Sequence, residues 1–115
     1  MLRHTISFQH AFTGIWTALT SQLNLRLHFL LGSLVLFAAV YFECTILEVL
    51  ILILTIMVVM VTEMCNTALE FLADGISFEH REYIKHAKDV AAGAVLLSSI
   101  FAALIGLIIF VPKII

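Results

Sequence analysis

Residues 49–74, VLILILTIMVVMVTEMCNTALEFLAD, decide how this chain folds. The run from 49 to 61 is apolar, broken only by Thr55, and leads straight into Glu63, Asn66, Thr67, Glu70 and Asp74. At about 100° per residue, Glu70 falls about 20° to one side of Glu63 and Asp74 about 20° to the other; Asn66 and Thr67 lie within about 60° of the same line. One helix therefore carries three carboxylates on one stripe of an otherwise membrane-compatible surface. An ionisable side chain at membrane depth costs on the order of 3 kcal/mol or more unless paired or hydrated, so such a group marks a functional site by default.

The rest of the chain fits a membrane setting. Of 115 residues, 63% are hydrophobic and 12% charged, and the mean hydropathy is +1.15. A water-soluble domain of this length needs far more polar surface to cover its core. The class is an all-α integral membrane protein. The net charge of −2 provides no basic surface for nucleic acid. Cys44 and Cys65 are two isolated thiols, neither a disulfide framework nor a zinc site. The first 24 residues are too polar for a signal-peptide core, so the first span is expected to serve as its own insertion signal.

Working outward, residues 5–23 read as an amphipathic helix. Phe8, Phe12, Ile15, Trp16, Leu19 and Leu23 recur at helical spacing, with Ser7, His10 and Thr13 on other faces. Such a helix suits the membrane interface. Three spans follow at 25–42, 46–73 and 90–111, each near the roughly 20 residues a bilayer requires. The stretch between Asp74 and Lys88 reads as a polar connector in which His80 and His86 are solvated. Pro112 and Lys113 are expected to end the last span. Arg3, Arg26, Arg81, Lys85 and Lys88 put the N-terminus and this connector on the cytoplasmic side by the positive-inside rule.

The stripe then has a wet end and a greasy end. Glu63 and Glu70 are two turns apart, roughly 10 Å. A hard divalent cation at the wet end takes oxygen ligands such as Glu70 and Asp74. Glu63, deeper, is placed to take a proton from a hydroxyl arriving through the lipid. Lys88 offers a point charge to phosphate oxygens, and Asp89 is expected near a helix N-terminus, where the dipole favours an anion. Thr67 is expected to bond its own helix backbone. His28, at the start of the first span, is ambiguous by sequence.

The segments Glu63-Met64-Cys65-Asn66-Thr67-Ala68-Leu69-Glu70, Asp74 and Ala87-Lys88-Asp89-Val90-Ala91-Ala92-Gly93-Ala94-Val95 resemble the prokaryotic diacylglycerol kinase family, which includes undecaprenol kinases. Ser7-Phe8, Ala11-Phe12 and Gly14 look like that family's N-terminal helix. Asn24, Arg26 and His28 look like the start of its first span, and residues 106–113 like the end of its undecaprenol-kinase branch. The resemblance implies a three-span subunit of a homotrimer with shared active sites, in the bacterial cytoplasmic (inner) membrane. It also implies Mg²⁺-dependent transfer of the ATP γ-phosphoryl group to a lipid hydroxyl. By position, Glu63 matches the general base, near Asn66. Glu70 matches a metal ligand. Asp74, Lys88 and Asp89 match the nucleotide site. Two departures stand out. Gln22 occupies a position where relatives carry a metal-binding Glu, and Glu79-His80-Arg81 replaces a common E-Y-H. No P-loop or protein-kinase signature is present, so the phosphates have to be held by carboxylate-bound metal and Lys88. The rival readings are a small proton- or ion-coupled transporter using Glu63 or Glu70, and a structural membrane subunit without chemistry.

Overall fold

The computed structural model describes residues 2–76 and 81–115, with side chains from residue 7 onward; Glu79 and His80 lie outside the described residues. It is all-helical among those residues: α1 Leu2–Ser21, α2 Leu23–Tyr41, α3 Ile46–Asp74 and α4 Arg81–Ile114. Three of these, α2, α3 and α4, are long and apolar enough to cross a membrane. The chain is an integral membrane protein. Helix α3 is the centre of the bundle, with α2 and α4 on either side of it and α1 against α2 and α3.

Most apolar side chains face outward. Leu34, Phe37, Leu54, Leu97, Phe101 and Leu107 are all exposed. In water this arrangement aggregates; in hydrocarbon it is the solvated state. Helix contact in a bilayer rests instead on close packing of small residues. Gly32 of α2 shows this: a Cβ added there would lie 2.9 Å from Cγ2 of Ile56 on α3. Hydroxyls are satisfied locally, as a low-dielectric setting demands. Ser33 donates to the Phe29 carbonyl at 2.9 Å and Thr55 to the Ile51 carbonyl at 2.7 Å. Thr62 and Ser98 also meet each other at 3.0 Å, tying α3 to α4.

The turn between α2 and α3 is closed on itself. Cys44 N–H donates to Ala39 O at 2.9 Å and Glu43 N–H to Val40 O at 3.2 Å, the two bonds of a Schellman cap. Glu43 adopts φ 53°, the left-handed conformation that glycine usually fills there. Thr45 then caps α3 in a capping box with Glu48. Glu48 also pairs with Lys113 of α4 at 3.1 Å. Beneath lie Ala39, Leu52 and Ile109, packed with Cys44 and Phe110.

Helix bounds differ from the sequence reading in three places. The first break falls at Gln22, which is extended (φ −119°, ψ 111°), rather than at Asn24. Helix α4 begins at Arg81, nine residues before the expected span, so most of the polar connector is helical. Polarity reported where the chain leaves the membrane, not where the helix stops; Glu82, Lys85 and His86 all tolerate a helix. Pro112 does not end α4, which runs through it to Ile114. In the last turn a missing N–H costs a single bond.

Candidate active site

The connectivity gathers the start of α2, the end of α3 and the start of α4 at one end of the bundle. Here the α3 stripe forms a gradient of exposure. Glu63 is 4% exposed, Asn66 and Glu70 are half-buried, and Asp74 is exposed. The arrangement follows from a straight helix rising about 1.5 Å per residue out of the bundle.

At the deep end, Glu63 Oε1 lies 3.4 Å from Nδ1 of His28 on α2. That Nδ1 is buried and makes no hydrogen bond, and the same is true of Asn66 Oδ1. Buried polar atoms are nearly always satisfied, and an exception needs a reason. Thr67, buried, donates to the Glu63 carbonyl at 2.9 Å, as its sequence position predicts. A cleft of about 340 Å³ runs between α2 and α4 over α3, from His28 through Gly32 and Ile56 to Phe110. Its lining is almost wholly apolar. His28 therefore stands where an apolar cleft meets a buried carboxylate. Sequence spacing could not have found it, because His28 and Glu63 are 35 positions apart on different helices.

At the wet end, Lys88 Nζ contacts Asp74 Oδ1 at 3.3 Å, linking α4 to the end of α3. Lys85 Nζ contacts Asp89 Oδ2 at 3.0 Å, one turn along the same helix. A groove here is lined by Glu70, Arg81, Lys85, Lys88 and Asp89. Because α4 begins at Arg81, Asp89 lies two turns inside the helix. The expected dipole support is therefore absent, since that effect fades beyond the first turn. Its stabilising partner is Lys85. Lys88 and Asp89, adjacent in sequence, face different partners. Gln22, at the α1–α2 break, is half-buried and its side chain makes no cap hydrogen bond.

Among the described residues no three His, Cys, Asp or Glu side chains come together as a metal cage. The described residues therefore hold no preformed cage of the Ca²⁺ or Zn²⁺ type. That pattern fits Mg²⁺, which takes one or two carboxylates and completes its shell with water and substrate phosphates. The half-buried Glu70 supplies one such carboxylate, and the three cationic side chains around it suit phosphate oxygens rather than the ion itself.

An integral membrane protein with carboxylates, lysines and unsatisfied buried polar atoms gathered at one end of its helix bundle is the class that fold and site define. The chain belongs to the prokaryotic diacylglycerol kinase family, whose model matches residues 9–110. It is thus a lipid kinase, and a transporter is not favoured. It is similar to an undecaprenol kinase of Bacillus subtilis, 38% identical over 107 residues, covering 93% of this chain and 87% of the relative. It is also similar to a diacylglycerol kinase of Synechocystis sp., 39% identical over 108 residues, 93% of this chain; the match spans 62% of that longer relative.

Proposed function

We propose that the chain transfers the γ-phosphoryl group of ATP to the hydroxyl of a membrane lipid, with Mg²⁺, and that the lipid is undecaprenol. One observation carries this reading: the carboxylate of Glu63, buried behind the histidine at the end of an apolar cleft, shares a helix face with a carboxylate in a lysine-lined groove. Phosphoryl transfer asks a protein mainly for positioning and charge neutralisation. The two ends of the α3 stripe divide that work between a lipid and a nucleotide.

In this reading the lipid chain lies along the cleft between α2 and α4, and its hydroxyl reaches Glu63 beside His28. Glu63 takes the hydroxyl proton as general base. Asn66, one turn from Glu63 on the same helix and with its buried Oδ1 free, helps to position the reacting groups from the α4 side, where it lines a separate cavity with His86 and Val90. At the groove, Lys88 and Lys85 hold the phosphates, while Asp74 and Asp89 keep the two amines in place through their ion pairs. Glu70, which lines the groove, would hold Mg²⁺; the amide oxygen of Gln22, at the α1–α2 break, would be a weaker second donor. When bound, the metal neutralises phosphate charge. The α1 helix, whose Phe8, Phe12 and Trp16 are exposed rather than packed on the bundle, lies in the membrane interface. Three subunits assemble as a homotrimer in the bacterial cytoplasmic membrane, with the N-terminus and the active site facing the cytoplasm.

Undecaprenol is preferred over diacylglycerol because residues 106–113 resemble the undecaprenol-kinase branch and because the similarity covers most of that relative's length. The test is a labelled-ATP assay on purified protein in mixed micelles containing either lipid. Label is expected in undecaprenyl phosphate, lost on chelation of Mg²⁺ and restored by its return. Label in neither lipid overturns the reading; label in diacylglycerol alone overturns the choice of substrate.

A further inference from the structure

His28 is the group that the reaction scheme leaves without a task. Its ring stands between the apolar cleft and Glu63, with Nδ1 facing the carboxylate at 3.4 Å. That separation lies just beyond the roughly 2.7–3.2 Å of a formed N–H···O bond, and Nδ1 has no other partner. The His28 side chain is 24% exposed and that of Glu63 6%. An unpartnered buried nitrogen beside a buried carboxylate is a costly arrangement that a small ring movement relieves. Catalytic hydrogen bonds are commonly loose without substrate and tighten when it arrives.

We infer that His28 is a positioning residue for Glu63: its Nδ1–H closes onto Glu63 Oε1 and fixes the carboxylate toward the lipid hydroxyl. The inference rests on the reading of Glu63 as general base. Donation from Nδ1 sets the tautomer, leaving Nε2 as the acceptor nitrogen. The pair spans α2 and α3, which are held in close register by Gly32 against Ile56 one turn further along. Side-chain placement at Glu63 thereby depends on how α2 packs against α3. A general base displaced by about 1 Å loses on the order of a hundredfold in rate without any loss of substrate binding.

The test measures kcat and KM for both substrates in the full chain, and in His28→Leu, His28→Asn and Glu63→Gln, in mixed micelles. It also records the His28 ring ¹⁵N resonances in the unsubstituted protein and in Glu63→Leu. His28→Leu is expected to lose roughly tenfold to a hundredfold in kcat with unchanged KM for ATP. His28→Asn, whose amide nitrogen stands near the Nδ1 position, is expected to recover most of that loss. The Nδ1 resonance is expected to be that of a protonated nitrogen and to shift in Glu63→Leu. Unchanged kcat in His28→Leu, with Glu63→Gln inactive, overturns the role of His28 alone. So does a rise confined to the lipid KM, which marks a cleft-lining residue, or equal loss in the Leu and Asn variants. An Nδ1 resonance indifferent to Glu63 overturns it without reference to activity. Full turnover in Glu63→Gln overturns the base, and the positioning role with it.

Discussion

The two ends of the bundle use the same residue types to opposite effect. Where α2 meets α3, the chain answers its own polar groups with the Schellman bonds, the Thr45 capping box, and Glu48 paired to Lys113 at 3.1 Å, and no buried side-chain atom there lacks a partner among the described residues. At the other end, a buried histidine nitrogen and a buried asparagine oxygen have none, and Glu63 sits 4% exposed beside them. Both ends carry a carboxylate of α3 next to a cationic or ionisable side chain. The difference is that one is satisfied by its own chain and the other is left open to something else. Satisfied polar groups hold a membrane bundle in register, whereas unsatisfied ones cost stability and persist where function requires them.

That contrast can be broken at either end. Replacing Glu63 by Gln is expected to lower turnover about a hundredfold to ten-thousandfold, the range for loss of a general base, with nucleotide binding and thermal stability retained. Parallel rate and binding assays check this. Replacing Lys88 by Met is expected to weaken nucleotide binding by roughly ten- to a hundredfold, since hydrogen bonds to charged groups contribute about 1.5–3 kcal/mol. Titration with a non-hydrolysable nucleotide reads it. Between the ends, Gly32→Ala pushes a methyl to 2.9 Å from Ile56 and is expected to cost about 1–3 kcal/mol in unfolding free energy. At the closed end, Thr45→Ala removes the cap of α3 and is expected to cost about 1 kcal/mol, with kcat unchanged. The smallest effect is expected at Glu43, where φ is 53°: replacement by Gly is worth no more than about 1 kcal/mol in either direction. A measurable fall in kcat from either closed-end substitution, at full folding, would erase the distinction between the ends.

The sequence made much of this legible, for identifiable reasons. Hydropathy located three spans because a bilayer demands length and apolarity, and it found them within a few residues for α2 and α3. Helical period aligned Glu63, Glu70 and Asp74, because a stripe on one helix is a local property. What lay between helices was hidden. The His28–Glu63 contact, the Lys88–Asp74 pair and the Lys85–Asp89 pair depend on packing and rotamers, which no spacing rule reports. The start of α4 was missed because a polar stretch beyond the membrane reads alike as loop or helix, and Asp89 lost its expected dipole support with it. Gln22 was legible only as a departure from a family pattern; its place at the α1–α2 break emerged from the backbone.

Two carboxylates of one helix, Glu63 and Glu48, bring the account to a single assay. Initial rates of phosphoryl transfer from labelled ATP to undecaprenol, with Mg²⁺ saturating, are compared for Glu63→Gln and Glu48→Gln. The account predicts transfer near the unsubstituted rate for Glu48→Gln and almost none for Glu63→Gln. Equal rates in the two variants would contradict it.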